Sequence, residues 1–197
     1  MNKEFWNERY GQEDFAYGIK PNDFLKSQHF NQGAKLLCLA EGEGRNGVFL
    51  AKMGCDVTCV DYSEAGISKM KKFATENHVE IQTICADLND FDLGENQWDG
   101  IIVIFGHFPV ELRKKVHSQL FKALKPSGKL ILEAYNKNQM DFKTGGPMNL
   151  EMLYSKEELS GDFKDFEKIS INEFIREVQE GAFHFGKAGV VQVVGEK

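Results

Sequence analysis

The sequence predicts an α/β fold in which a mostly parallel sheet is wound by helices on both sides. Three observations predict it. Short apolar runs alternate with segments of helical periodicity from about residue 35 onward, one run (GIIVIF, 100–105) is apolar on consecutive residues, and a glycine-rich loop joins the first run to the first periodic segment. A strand needs consecutive apolar residues when helices cover both faces of its sheet.

After an aromatic N-terminal stretch, residues 35–39 read as the first strand, closing in the glycine loop. Residues 46–53 have helical spacing, with Gly54 as the stop. Residues 56–61 (DVTCVD) read as a buried strand ending in an acid. Ser63 can cap a helix running to about Asn77, a residue type that tolerates the left-handed C-cap. Residues 80–86 follow as the third strand and 100–105 as a central fourth. Pro109 suits the first turn of a helix whose apolar positions Val110, Leu112, Val116, Leu120, Phe121 and Leu124 mostly share one face. That helix is expected to end at Pro126-Ser127-Gly128. Residues 130–134 are the fifth strand. Ser155 and Glu158 have capping-box spacing, and residues 169–178 and 190–194 predict a closing β-hairpin across a Gly-containing turn.

A chain of 197 residues with 42% hydrophobic and 27% charged residues suits one domain over 1–197, and no repeat or linker divides it. A net charge of −6 and the lack of any Lys/Arg run speak against a nucleic-acid partner. No stretch resembles a signal peptide and no run approaches about 18 apolar residues, so a cytoplasmic protein without a membrane partner is expected, as a monomer or homodimer. Cys38, Cys55, Cys59 and Cys85 show no C-x-x-C spacing and read as reduced core residues. His29, His78 and His117 form no ligand grouping and read as surface residues, so no metal is expected.

In such sheets ligands sit beyond the carboxyl ends of the strands, here in loops 40–47, 61–63, 86–88, 105–109 and 135–147. Residues 40–47 (AEGEGRNG) contain G-x-G-x-x-G, where bare backbone lets a ligand approach. Asp61 lies where a carboxylate can accept hydrogen bonds from both hydroxyls of a ribose. These two features fit NAD almost as well as S-adenosylmethionine. Three others separate them. Ala40 and Glu41 precede the first glycine, and an acidic loop disfavours a pyrophosphate but suits an ammonium. Asp87 beside Leu88 can bind an adenine amine and cover the ring edge. No Tyr-x-x-x-Lys pair of one large dehydrogenase class is present.

The segment LLCLAEGEGRNGVFLAKMGCDVTCVDYS is similar to the first two motifs of class I S-adenosylmethionine-dependent methyltransferases, and CADL, WDGIIVIFGHFPVELR, ALKPSGKLILEAY and EGAFHFGKAGVVQVVGEK look like later motifs. The branch resembled most contains the tellurite-resistance and thiopurine methyltransferases, to which FWNERYGQEDFAYGIKPNDFL is also similar. The resemblance implies a Rossmann-like, doubly wound seven-stranded sheet whose last strand is antiparallel, with residues 1–30 as an aromatic cap segment. It implies that Gly42 and Gly44 bound the methionine part of the cofactor, Asp61 the ribose, Asp87 and Leu88 the adenine, with Phe105 and Gly106 under the reactive end. Ala40, Glu41, Arg45, Asn46, Tyr62 and Ala86 complete the candidate cofactor set. Two departures stand out: Cys38 replaces the usual acid of the first strand, and Ala40 the usual glycine, leaving Glu41 as the candidate for the displaced charge.

The expected function is methyl transfer to a small-molecule acceptor by in-line displacement in a closed pocket. The alternatives are an NAD(P)-dependent oxidoreductase and a non-catalytic S-adenosylmethionine-binding module. Trp6, Tyr10 and Tyr17 are candidates for cation–π contact with the sulfonium, and His107 for a general base. Phe108, Tyr135, Arg176 and His184 join these four as the candidate acceptor set. The long loop after the fifth strand reads as a lid over the acceptor.

Overall fold

The computed structural model describes residues 2–197. The chain opens with α1 (Lys3–Tyr10) and the short α2 (Asp23–Lys26). It then runs β1 (Lys35–Leu39), α3 (Arg45–Lys52), β2 (Asp56–Asp61), α4 (Glu64–Glu76), β3 (Gln82–Cys85), β4 (Trp98–Ile104), α5 (Val110–Ala123) and β5 (Leu124–Tyr135). Two 3-10 turns (Lys137–Asp141 and Leu150–Met152), α6 (Lys156–Asp162), β6 (Lys168–Glu180) and β7 (His184–Glu196) complete it. One seven-stranded sheet has the order β3-β2-β1-β4-β5-β7-β6. The pairs among β1 to β5 are parallel, and β7 runs antiparallel to both β5 and β6.

Burial on two sides explains the unbroken apolar strands. Leu37, Leu39, Ile101, Val103, Leu130 and Leu132 join one buried cluster; their strand neighbours Leu36, Cys38, Ile102, Ile104 and Ile131 join another. Each such side chain taken fully from water contributes about 1.5–3 kcal/mol. The winding reverses between β1 and β4, so the crevice at their carboxyl ends is where a ligand is expected.

Several sequence expectations shift. Asn77 does cap α4, but with φ −94°, and His78 takes the left-handed conformation instead. The expected stop at Pro126-Ser127-Gly128 lies inside β5: the register with β4 slips there, Ser127 adopts φ 65°, and its N–H bonds the Lys197 carbonyl. Cys38, Cys55 and Cys59 are buried free thiols, whereas Cys85 is exposed at the end of β3. His29 and His78 are exposed. His117 is not a surface residue: it is 2% exposed and its Nδ1 lies 2.8 Å from Asp162 Oδ2, which ties α5 to α6. Among the described residues no helix is long and apolar enough to cross a membrane, and no cluster of three His, Cys, Asp or Glu side chains could hold a metal ion.

Candidate cofactor and acceptor site

A cavity of about 370 Å³ lies at the carboxyl ends of the parallel strands. All five loops expected from the sequence contribute to it, through Ala40 and Glu41, Asp61 and Tyr62, residues 86–88, residues 105–109 and residues 145–147. The chain between α1 and α2 closes it from outside. Glu43 Oε2 accepts the Ala16 N–H at 2.8 Å, Lys69 reaches the Gln12 and Asp14 carbonyls, and the Ala182 N–H bonds the Ala16 carbonyl. Gly181, at φ 69°, lets the hairpin turn meet this strap, because a Cβ there would stand 2.4 Å from the Ala16 oxygen.

The glycine loop is organised by two buried acids. Glu41 Oε1 accepts the N–H groups of Asn46 and Gly47, both at 2.8 Å, so the acid occupies the positive N-terminus of α3. Burial pushes its carboxyl up to about 7. Asp61 Oδ2 accepts the Gly42 N–H and Oδ1 the Ser63 N–H, each at 2.9 Å, and its carboxylate still borders the cavity. Burial raises the Asp61 pKa, with the N–H donors pulling the other way. Asp87 and Leu88 line the cavity at the end of β3, and the Asp87 Oδ1 accepts the Asn89 N–H.

The other end is aromatic. Trp6 stacks on Tyr10 with centroids 5.2 Å apart, and Tyr17 packs 4.4 Å from His184, which lies 4.7 Å from Phe105. Most predicted site residues border the cavity: Trp6, Tyr10, Tyr17, Ala40, Glu41, Arg45, Asn46, Asp61, Tyr62, Ala86, Asp87, Leu88, Phe105, Gly106, His107, Phe108 and His184. Four do not. Gly42 lies under the Tyr10 hydroxyl, and Gly44 is needed for packing, since at φ 90° its Cβ would meet Met70 Cγ at 2.4 Å. Tyr135 supports the wall from behind, its ring 4.6 Å from Phe105.

Arg176 is the clearest correction to the acceptor set. Its guanidinium bonds Glu133 and lies 3.3 Å from Glu180, inside a buried network in which Asn22 Nδ2 also donates to both acids and Arg45 pairs with Glu180 at 2.5 Å. It neutralises buried carboxylates and is not offered to a ligand. His184, by contrast, does border the cavity. It is 6% exposed, its Nδ1 is buried without a partner, and burial beside Arg45 holds the imidazole well below its usual pKa.

His107 departs from its expected role as a base. Nδ1 lies 2.8 Å from the Met152 carbonyl and Nε2 receives the Tyr135 N–H at 3.2 Å. A carbonyl only accepts and an N–H only donates, so the ring is a neutral tautomer with both nitrogens used. Burial lowers its pKa to about 4. The imidazole stitches the loop after β4 to β5 and to the second 3-10 turn. Sequence reading passed over Arg9, Glu43, Pro147, Met152 and Phe183 in the cavity wall. The lid expectation carried a partial signal for Pro147.

The donor set suits a nucleoside-bearing sulfonium cofactor: carboxylates stand at the ends of β2 and β3, an acidic glycine loop lies between them, and the opposite end is aromatic. Residues 36–128 match the family model described as a methyltransferase domain. The fold and the donor set of the site agree with that match and are similar to those of class I S-adenosylmethionine-dependent methyltransferases. Among the relatives of known sequence the chain is similar to TehB proteins. It is 26% identical over 149 residues to a probable S-adenosyl-L-methionine-dependent methyltransferase TehB of Haemophilus influenzae, covering 74% of this chain and 50% of that one. An uncharacterized methyltransferase, YbaJ, of Bacillus subtilis is 32% identical over 101 residues, covering 51% and 40%. A tRNA (uracil(54)-C(5))-methyltransferase of Pyrococcus furiosus is 27% identical over 174 residues, covering 80% and 39%. The chain spans about half the length, or less, of the curated relatives it matches. The solved structure of Haemophilus influenzae TehB superposes with a TM-score of 0.73 at 20% identity, covering 99% of this chain and 66% of that one.

Proposed function

We propose that residues 1–197 act as one unit, with residues 1–30 closing the site, and transfer a methyl group from S-adenosylmethionine to a small-molecule acceptor in cytoplasm. The observation that carries this reading is enclosure. The strap, Phe183 of the hairpin and residues 145–147 roof a cavity of about 370 Å³, which suits a cofactor end and a compact acceptor far better than a folded RNA. A net charge of −6 argues the same way against the tRNA acceptor of the Pyrococcus relative.

In this reading Asp61 holds the ribose hydroxyls, and Asp87 with Leu88 holds the adenine. Gly42, Gly44, Glu41, Arg45 and Asn46 shape the methionine end. S-adenosylmethionine, when bound, would supply an activated methyl on a sulfonium. The chain's own task is alignment in a dry site, worth roughly 7–11 kcal/mol in favourable cases. Phe105, Trp6 and Tyr17 exclude water around the reacting atoms, and the Tyr17 and Tyr10 rings can steady positive charge by about 0.5–2 kcal/mol each. With His107 fixed in hydrogen bonds and His184 held well below its usual pKa by burial beside Arg45, neither imidazole of the described cavity wall favours taking a proton from an acceptor. A thiolate or oxyanion acceptor needs no base.

The experiment is transfer of radiolabelled methyl from S-adenosylmethionine to panels of thiols, phenols, metalloid oxyanions and bulk tRNA. Label in a small acceptor supports the reading. Label in tRNA alone overturns it, and tight cofactor binding with no product anywhere favours the non-catalytic module.

A further inference from the structure

The chain has four arginines, and three are neutralised within the fold. Arg45 pairs with Glu180, Arg113 with Asp162 and Glu158, and Arg176 with Glu133 and Glu180. Arg9 is the only arginine among the described residues with no carboxylate at ion-pair distance, and it borders the cavity from α1. Its guanidinium lies 4.1 Å over the Phe183 ring and 4.5 Å from the Phe5 ring, which fixes its plane. Nη1 donates to the Tyr17 hydroxyl at 2.8 Å. The other four N–H donors of the fork make no hydrogen bond among the described residues, and neither Nε nor Nη2 is sealed from solvent.

A half-buried cation held this rigidly and left unpaired is built for an anion that arrives with a ligand. The lining acids have other partners: Glu41 Oε1 accepts N–H groups at the start of α3, Glu43 lies 2.8 Å from Lys69, Asp61 binds loop N–H groups, and Asp87 accepts the Asn89 N–H. We infer that Arg9 is the anion receptor of the site, taking a carboxylate-sized negative group of a bound molecule in its free N–H fork. Two sources share that chemistry. One is the α-carboxylate of the cofactor's amino-acid end, whose ammonium suits the acidic loop; the other is an anionic group on the acceptor. The inference rests on the cofactor reading above, but its test uses binding alone, so a failed acceptor screen does not decide it.

The test compares wild type with Arg9→Met and Arg9→Lys by isothermal titration, with thermal unfolding as a check that both variants fold. The first arm uses S-adenosylhomocysteine against methylthioadenosine, which lacks the amino-acid end. The second uses benzoate against neutral benzamide on protein saturated with S-adenosylhomocysteine. If Arg9 holds the cofactor carboxylate, Arg9→Met weakens S-adenosylhomocysteine about tenfold or more and leaves methylthioadenosine unchanged. If it holds an acceptor anion, S-adenosylhomocysteine is unaffected and a wild-type preference for benzoate over benzamide disappears. In either case Arg9→Lys recovers part of the loss, because the charge remains without the fork. The inference is overturned if S-adenosylhomocysteine binds the Met variant as it binds wild type and benzoate shows no Arg9-dependent preference.

Discussion

Asp61 at the end of β2 accepts the backbone N–H of Gly42 at 2.9 Å, so one carboxylate both borders the ligand cavity and holds the glycine loop in place. Its second oxygen holds Ser63, which caps α4 by accepting the Gly66 N–H. Removing the acid leaves two buried N–H donors unpaired, at about 1–3 kcal/mol each. Asp61→Ala is therefore expected to lower the unfolding free energy by roughly 2 kcal/mol or more in urea titration, before any ligand is added.

Gly181 is the hinge point between strap and hairpin. Gly181→Ala places a methyl against the Ala16 oxygen and the Gly18 nitrogen at a left-handed φ of 69°. The strap should detach. The expected outcome is a loss of about 1–3 kcal/mol of stability, together with new protease cleavage between residues 10 and 22, read by mass spectrometry.

The pH dependence of stability follows from His107. Its folded pKa of about 4 lies below the ordinary 6.5, so the unfolded chain takes up a proton first as pH falls. The neutral imidazole's contribution is intact above pH 6.5 and is lost progressively between 6.5 and 4. His184 and His117 shift in the same direction, so the comparison must be with His107→Gln, which keeps a donor and an acceptor. Between pH 7 and 4.5 wild type should lose roughly 2 kcal/mol more than the variant in urea unfolding. Equal losses would mean that His107 is protonated in the folded protein.

Glu41 gives the opposite handle. Burial holds its carboxyl at about 7, and a ligand ammonium favours the ionised form. Affinity for S-adenosylhomocysteine should rise between pH 6 and 8 in wild type and stay flat over that range in Glu41→Gln, measured by isothermal titration.

Much of this was legible in the sequence because periodicity and turn chemistry are local. The parallel strands, the glycine loop, Asp61, Asp87 and the capping box of Ser155 and Glu158 all lie where their own neighbours in sequence put them. What escaped depends on partners far along the chain. Arg176 read as an acceptor contact because nothing local announces Glu133, 43 positions away, which binds it. His107 looked like a loop base because nothing local announces Met152, 45 positions on, and Arg9 gave no signal because Phe183 comes from the other end of the molecule. Pro126-Ser127-Gly128 misled for the same reason: the Lys197 carbonyl turns an apparent break into a bulge within β5.

The most direct measurement is isothermal titration of S-adenosylhomocysteine into wild type and Asp61→Ala, with NADH titrated separately. The expected result is micromolar, one-to-one binding of S-adenosylhomocysteine to wild type, at least tenfold weaker in the variant, and no heat from NADH. Binding of NADH alone, or S-adenosylhomocysteine binding that ignores Asp61, would contradict the cofactor site described above.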